Sequence, residues 1–296
     1  MTSRPTAFLL LAFANLFWSG NWIAGRALRD AFDPVTLNFW RWVVAALALA
    51  PFALPALRGK WELVRRRAGT LLLLALTGVV LFHSLVYLGL RSTEAVNGVL
   101  LNSSMPMFML LVSWLIERER ASARQVLGML ISLAGILVIL SRGAPGALRE
   151  LELHTGDFWI LLAMPAWGVY SVLLKRRPPE LGGLGFLFVI SAAGVLLLAP
   201  AAAFQAMQAP MRPPTAAEVL AVFYIGIAAS ALAFICWNRG VLVVGANAAG
   251  FTVHLLPAFG TVLAILLLGE GFAGFHAAGI ATILAGVLLA TRAARS

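Results

Sequence analysis

Acidic residues are scarce in this sequence, 12 of 296 against 22 lysines and arginines, and charged residues of both signs make up only 11% of the chain. Soluble domains carry charge at about a quarter of their positions, so a chain this poor in it lacks the usual water-facing shell. A single cysteine, Cys236, excludes a disulfide framework and a multi-cysteine metal centre. Glycine-rich phosphate loops, G-x-S-x-G elbows and H-E-x-x-H helices are all missing. Their absence removes an ATP-driven pump on this chain and leaves a membrane-embedded enzyme or sensor, the alternative of another class, with only the pair His83 and His254 to work through and loops too short for an output domain.

What is present is apolar: 61% of the residues are hydrophobic. Apolar segments bounded by charge, glycine or proline fall near 5–25, 34–57, 68–90, 93–116, 122–141, 156–175, 183–204, 216–238, 243–268 and 272–291. Each is close to the ~20 residues that a helix needs to cross a bilayer. In lipid every backbone polar group must be paired inside a helix or a closed barrel, and these runs are too long and unalternated for barrel strands. The expected fold class is therefore all-α integral membrane, with ten transmembrane helices. Residues 4–14 imitate a signal peptide, but the apolar run continues unbroken through Asn15–Ile23, which favours an uncleaved first helix.

One pattern occurs twice. MPMFMLLVSWLIERERASARQVLGMLISLAG, from residue 105, aligns without gaps on LPAFGTVLAILLLGEGFAGFHAAGIATILAG, from residue 256. Pro106, Glu119, Gly128 and Gly135 match Pro257, Glu270, Gly279 and Gly286, each 151 residues later. Trp18 and Arg26 match Trp167 and Lys175 at 149 residues, which implies a two-residue indel between the two matched stretches. A match at fixed spacing across half a chain marks a duplication. Five spans are an odd number, so the second copy enters the membrane inverted, giving two five-helix halves at 1–150 and 151–296.

The net charge of +10 points to topology rather than to nucleic acid, because the basic residues are split among short loops. With a cytoplasmic N-terminus, fifteen lysines and arginines fall on the inner side. Seven fall on the other: Arg26, Arg29, Arg41, Arg91, Arg142, Arg149 and Arg212. Both termini are thereby expected in the cytoplasm of a bacterial inner membrane.

The stretch Asn15-Leu16-Phe17-Trp18-Ser19-Gly20-Asn21-Trp22, the two proline-to-glutamate hairpins and the glycine-bearing helices after them resemble the drug/metabolite transporter superfamily, in its ten-helix EamA-type permeases. The resemblance covers essentially the whole chain and leans toward exporters of amino acids, aromatic ones included, and related metabolites. It implies a central cavity lined by helices 1, 3, 4, 6, 8 and 9, with helices 5 and 10 outside. Small four-helix multidrug relatives carry a glutamate in the first helix, where this chain has Asn15 and Asn21 and no acid.

Polar residues inside spans are expensive and ask for a reason. His83 and Tyr87, four apart, share one helix face, as a cavity wall or as an interhelical tie. Asn97 and Ser104 share a face ending at Pro106; Asn247, Phe251 and His254 do the same before Pro257. Matched prolines bending two helices point to a midplane site, or to packing alone. Trp18 and Trp167 lie deep at equivalent positions, with Tyr170 beside Trp167, and would take a planar solute by stacking or simply fill the core. Trp40, Trp42, Trp61, Trp114 and Trp159 read as interfacial anchors, and Trp237 with Asn238 as an entrance lining. Gly128, Ser132, Gly135, Gly279 and Gly286 form a packing seam. The candidate substrate-binding set is thus Trp18, Asn21, His83, Tyr87, Asn97, Ser104, Trp167, Tyr170, Phe251 and His254. No acid is expected to be buried, His154 and His276 are expected only to be solvated, and no cofactor, metal or catalytic residue is implied.

The function these features suggest is alternating-access transport, as an exporter, of a small neutral or zwitterionic solute. The coupling is downhill or proton-linked through a histidine, and multidrug or cation efflux is the alternative. The implied partners are a small-molecule substrate and the lipid bilayer, with no nucleic acid. A monomer is the expected unit and a homodimer the alternative.

Overall fold

A computed structural model describes residues 2–93, 95–144, 146, 152–208, 212–268 and 273–292. Glu270, matched to Glu119 by the repeat, lies outside these, as do Glu94, Glu150, Arg149 and Arg295. The described residues are almost wholly helical, and ten helices are long and apolar enough to cross a membrane. They are α1 Arg4–Ala27, α2 Pro34–Leu57, α3 Ala68–Ser92, α4 Asn97–Glu117, α5 Ala123–Leu140, α6 Thr155–Arg176, α7 Pro179–Gln208, α8 Ala216–Val244, α9 Ala246–Leu263 and α10 Gly274–Arg292. Their starts are written locally. Ser3 caps α1 and Asp33 caps α2, while Ser122 with Gln125 and Thr215 with Glu218 form reciprocal capping boxes on α5 and α8.

Several spans are irregular, and the irregularities come in pairs. The α4 span breaks at Ser103 and Ser104, so that Pro106 stands in the first turn of the second piece. In α9 a 3₁₀ turn over Thr252–His254 separates two α-helical pieces just before Pro257. Both prolines thus open a new piece, where a missing N–H costs nothing, instead of kinking a continuous helix. A π-helical stretch occupies Leu76–Leu81 in α3, and another Ile225–Leu232 in α8. These begin 149 residues apart and end 151 apart, so the two-residue shift between the halves is absorbed in the longer π stretch of α8.

The helix pairs with the most extensive packing are α5 with α10, α2 with α7, α1 with α8, and α3 with α6. Exchanging each helix for its counterpart five later leaves this set unchanged. Individual contacts obey the same exchange. Trp18 meets Trp167 at 5.1 Å between ring centroids. His83 meets Phe234 at 5.8 Å, and the His254 ring Nε2 lies 2.9 Å from the Ser103 carbonyl; both pairs are spaced by 151. Tyr87 on α3 donates to Asn21 on α1 at 2.8 Å, and Tyr170 on α6 donates to Asn238 on α8 at 2.7 Å. Tyrosine and asparagine have traded places between the halves, and the bond survives.

The α5–α10 seam is backbone against backbone. A Cβ on Gly128 would stand 2.6 Å from the Gly286 carbonyl, and one on Gly135 2.7 Å from that of Gly279. The earlier glycine of α5 meets the later glycine of α10, so the two helices run antiparallel.

Three expectations need correcting. Trp42 is not an interfacial anchor: it is fully buried against Phe234 and His83. Trp40 and Trp42 sit about 200° apart around α2, so Trp40 faces outward while Trp42 faces the bundle. Trp237 is no entrance residue but lies in the core, 5.2 Å from Trp18 and 5.4 Å from Trp167. Arg41 is not in a loop. It is fully buried in α2, roughly 10 Å along the helix from its start.

Candidate functional site

A cavity of about 20 Å³ lies among α1, α3, α4, α6 and α9, walled by Trp18, Asn21, Trp22, Phe82, His83, Val86, Asn102, Met105, Trp167, Val253 and Leu256. That is room for about one water molecule. Aromatic rings fill the space beside it. Trp18 and Trp167 meet edge to face at 88°, and Phe234, Trp237 and Tyr170 pack on Trp167. The two deep indoles close on each other instead of leaving a slot for a flat solute between them. Trp18 is held by its Nε1–H, which donates to the Ala229 carbonyl at 3.0 Å.

That carbonyl lies in the π stretch of α8, where the wide turn leaves backbone oxygens for other donors. Arg41 Nη2 reaches the same oxygen at 3.3 Å; its Nε donates to Ser230 Oγ at 2.8 Å and its Nη1 to Tyr87 at 2.7 Å. Asn38 does the equivalent for α3, donating to the Val79 and Val80 carbonyls. Helix α2 therefore ties both π stretches, one with an amide and one with a guanidinium. Sequence reasoning counted Arg41 among loop charges, although it stood well inside the apolar segment 34–57.

Of the ten candidate residues, Trp18, Asn21, His83 and Trp167 line the cavity. Tyr87 and Tyr170 stand one layer behind it, bonded to Asn21 and Asn238. His254 bridges Ser132 of α5 to Ser103 of α4, and Phe251 is buried away from the cavity. Ser104 turns back to the Leu101 carbonyl. Asn97 donates to the Glu152 carbonyl at 2.7 Å and to Asp157 at 3.0 Å, at one end of the bundle. Asn102, which does line the cavity, was missed; it precedes the break in α4, where the sequence pattern favoured Ser104.

The expectation that no acid is buried also fails. Asp157, in the first turn of α6, is buried and accepts from Thr93 Oγ1, from Asn97 and from the His154 N–H at 2.8 Å. It is satisfied because a carboxylate at a helix N-terminus collects the donors that the first turn leaves over. His276 is more than solvated, its ring Nδ1 accepting from the Ala273 N–H, whereas His154 meets Asp157 only through its main-chain N–H. We expect Asp157→Ala to lower the folding stability by about 2–4 kcal/mol, since three donors, two of them in buried bonds, lose a charged acceptor. Asp157→Asn, which keeps part of the set, should cost roughly half as much. Thermal unfolding in detergent reads this out; equal melting of wild type and Asp157→Ala would refute it.

The Asp157 knot ties helices together at one end of the bundle, joined by Arg26, which donates to the Thr93 carbonyl. At the other end Glu117 pairs with Lys175 at 2.8 Å and Arg176 at 3.0 Å, and Asn247 bonds Ser113 and Glu119. Arg26 and Lys175, which match each other in the sequence, thus tie opposite ends of the bundle.

Ten membrane-crossing helices around a small interior cavity, with Trp18 meeting its counterpart Trp167 at the wall, have the form of a multi-pass membrane transporter. Residues 5–141 and 154–292 each match the EamA-like transporter family. The chain belongs to that family, within the drug/metabolite transporter superfamily, and is not an enzyme. It is similar to the uncharacterized transporter YetK of Bacillus subtilis, 24% identical over 96% of this chain and 86% of that one. It is also similar to a probable terminal-alkyne amino-acid exporter of Streptantibioticus cattleyicolor, 28% identical over 95% and 92%, and to the aromatic amino acid exporter YddG of Ancylobacter novellus, 26% identical over 99% of each. A solved crystal structure shares the fold, with a TM-score of 0.76 at 24% identity and 99% of both chains covered.

Proposed function

We propose that the protein exports small amino acids or related metabolites with an apolar, preferably aromatic, body. It would work by alternating access between halves 1–150 and 151–296 in a bacterial inner membrane, with both termini cytoplasmic. The observation that carries this reading is the aromatic-walled cavity lying where repeat counterparts meet. Two halves that contact each other through equivalent residues can rock either way at similar cost, opening one seal while the other holds. Two of the relatives are named as amino-acid exporters, which supports the substrate class.

Proteoliposomes holding only this protein should show saturable flux of labelled phenylalanine or tryptophan. Loss of all flux across a panel of amino acids, metabolites and cationic dyes would sink the proposal. An imposed pH gradient that leaves the rate unchanged would assign downhill movement.

A further inference from the structure

The cavity wall holds donors that have found no acceptor. Trp167 Nε1 and Asn102 Nδ2, both on wall residues, are buried without a hydrogen-bond partner. His83 Nδ1, on the same wall, is likewise buried without a partner. Buried polar groups are seldom left so, and each calls for an explanation. An indole N–H can only donate, so what would satisfy Trp167 is an acceptor on a bound molecule.

One layer behind stands Arg41. Three of its five N–H groups are used, all on neutral partners, and its guanidinium lies 5.7 Å and 5.6 Å from the Trp42 and Tyr87 ring centres. No carboxylate among the described residues contacts it. Arginine keeps its charge in proteins, and a charge inside a membrane normally finds a counter-charge or marks a substrate path. From Arg41 a chain of bonds runs to the wall: Arg41 donates to the Tyr87 oxygen, and Tyr87 donates to Asn21 Oδ1. Such a chain polarises each bond in turn, and it leaves the Asn21 amide nitrogen as the group able to donate onward. Among the described residues no acid lines the cavity.

We propose, resting on the transporter reading, that the cavity recognises its solute by a carboxylate, met by Asn21, Asn102 and Trp167, with Arg41 a positioning residue that supplies the positive field. The ammonium of an amino acid has no charged partner there, so an aromatic monocarboxylate should serve as well as an amino acid. A cation of the same size should be rejected.

Three probes sharing one ring decide it: phenylacetate, phenylalanine and phenylalaninamide, each compared by thermal stabilisation of the detergent-purified protein. Phenylacetate and phenylalanine should stabilise it, with the amide needing about tenfold more for the same shift, the worth of one charge-assisted hydrogen bond. Arg41→Gln should erase that gap and Arg41→Lys should preserve it, whereas a purely structural arginine would lower all three responses together. If Arg41→Gln does not fold, Tyr87→Phe, which cuts the chain but keeps the cation, should narrow the gap. The proposal falls if the amide matches phenylacetate on wild type, if the gap survives Arg41→Gln, or if no probe shifts melting. Phenylalanine flux, measured separately, distinguishes the two ideas. An intact ranking without flux defeats the transporter reading alone, and flux without a ranking defeats this one.

Discussion

Gly286→Leu is expected to abolish recovery of folded, monodisperse protein. A Cβ at this position would stand 2.4 Å from the Ser132 backbone nitrogen and 2.5 Å from the Gly128 carbonyl. Neither atom belongs to a side chain that could swing aside, so relief requires α5 and α10 to separate along their whole crossing. Ordinary overpacking costs about 1–3 kcal/mol; here two rigid backbones are driven apart, and the penalty should exceed that range. Helix association in lipid rests on such close approach, since there is no hydrophobic force to bring the helices back together. Gly135→Leu should behave alike, because its Cβ would meet the Gly279 carbonyl and the Ile283 nitrogen. Gly274→Leu, at the head of α10 with open space around it, is the control and should purify normally. Size-exclusion profiles of the three variants provide the measurement; a normal peak for Gly286→Leu would remove the seam from the account.

Trp18→Ala should cost about 3–5 kcal/mol, the usual range for deleting a buried indole. The side chain touches Trp167, Phe234 and Trp237, at 5.1, 6.1 and 5.2 Å between centroids, and donates to Ala229. Its removal also enlarges the cavity, so flux should fall while larger solutes become better competitors. Trp18→Phe separates the two contributions. It keeps most of the packing and loses only the bond to the π stretch, at about 1 kcal/mol. Thermal unfolding of both variants checks the ordering, and equal losses would mean that the hydrogen bond, not the ring, secures Trp18.

The spans were legible because lipid demands long apolar runs, and the seam because small residues recur seven apart in both copies. Partners were less so. His83 and Tyr87 share a face by periodicity, yet one lines the cavity while the other bonds across to α1, a difference set by which helix each meets. The same limit placed Asn97 and His254 in the cavity, when nearer partners, Asp157 for one and Ser132 for the other, claim them. Arg41 was misread because a loop-charge count treats every arginine as solvent-borne. The π stretches leave no periodic trace, although the slip from 149 to 151 between matched residues was their arithmetic signature.

The longer π stretch in α8 ends the likeness of the two copies at one spot. There the Ala229 carbonyl receives a guanidinium, while the Val79 and Val80 carbonyls of the α3 stretch receive the neutral amide of Asn38. The interior is therefore electrically lopsided across its width, although both halves of the chain match one family model. If the cavity meets its solute by a carboxylate as proposed above, that negative end would face α2, and the one place where the two π stretches differ would set the orientation of the cargo.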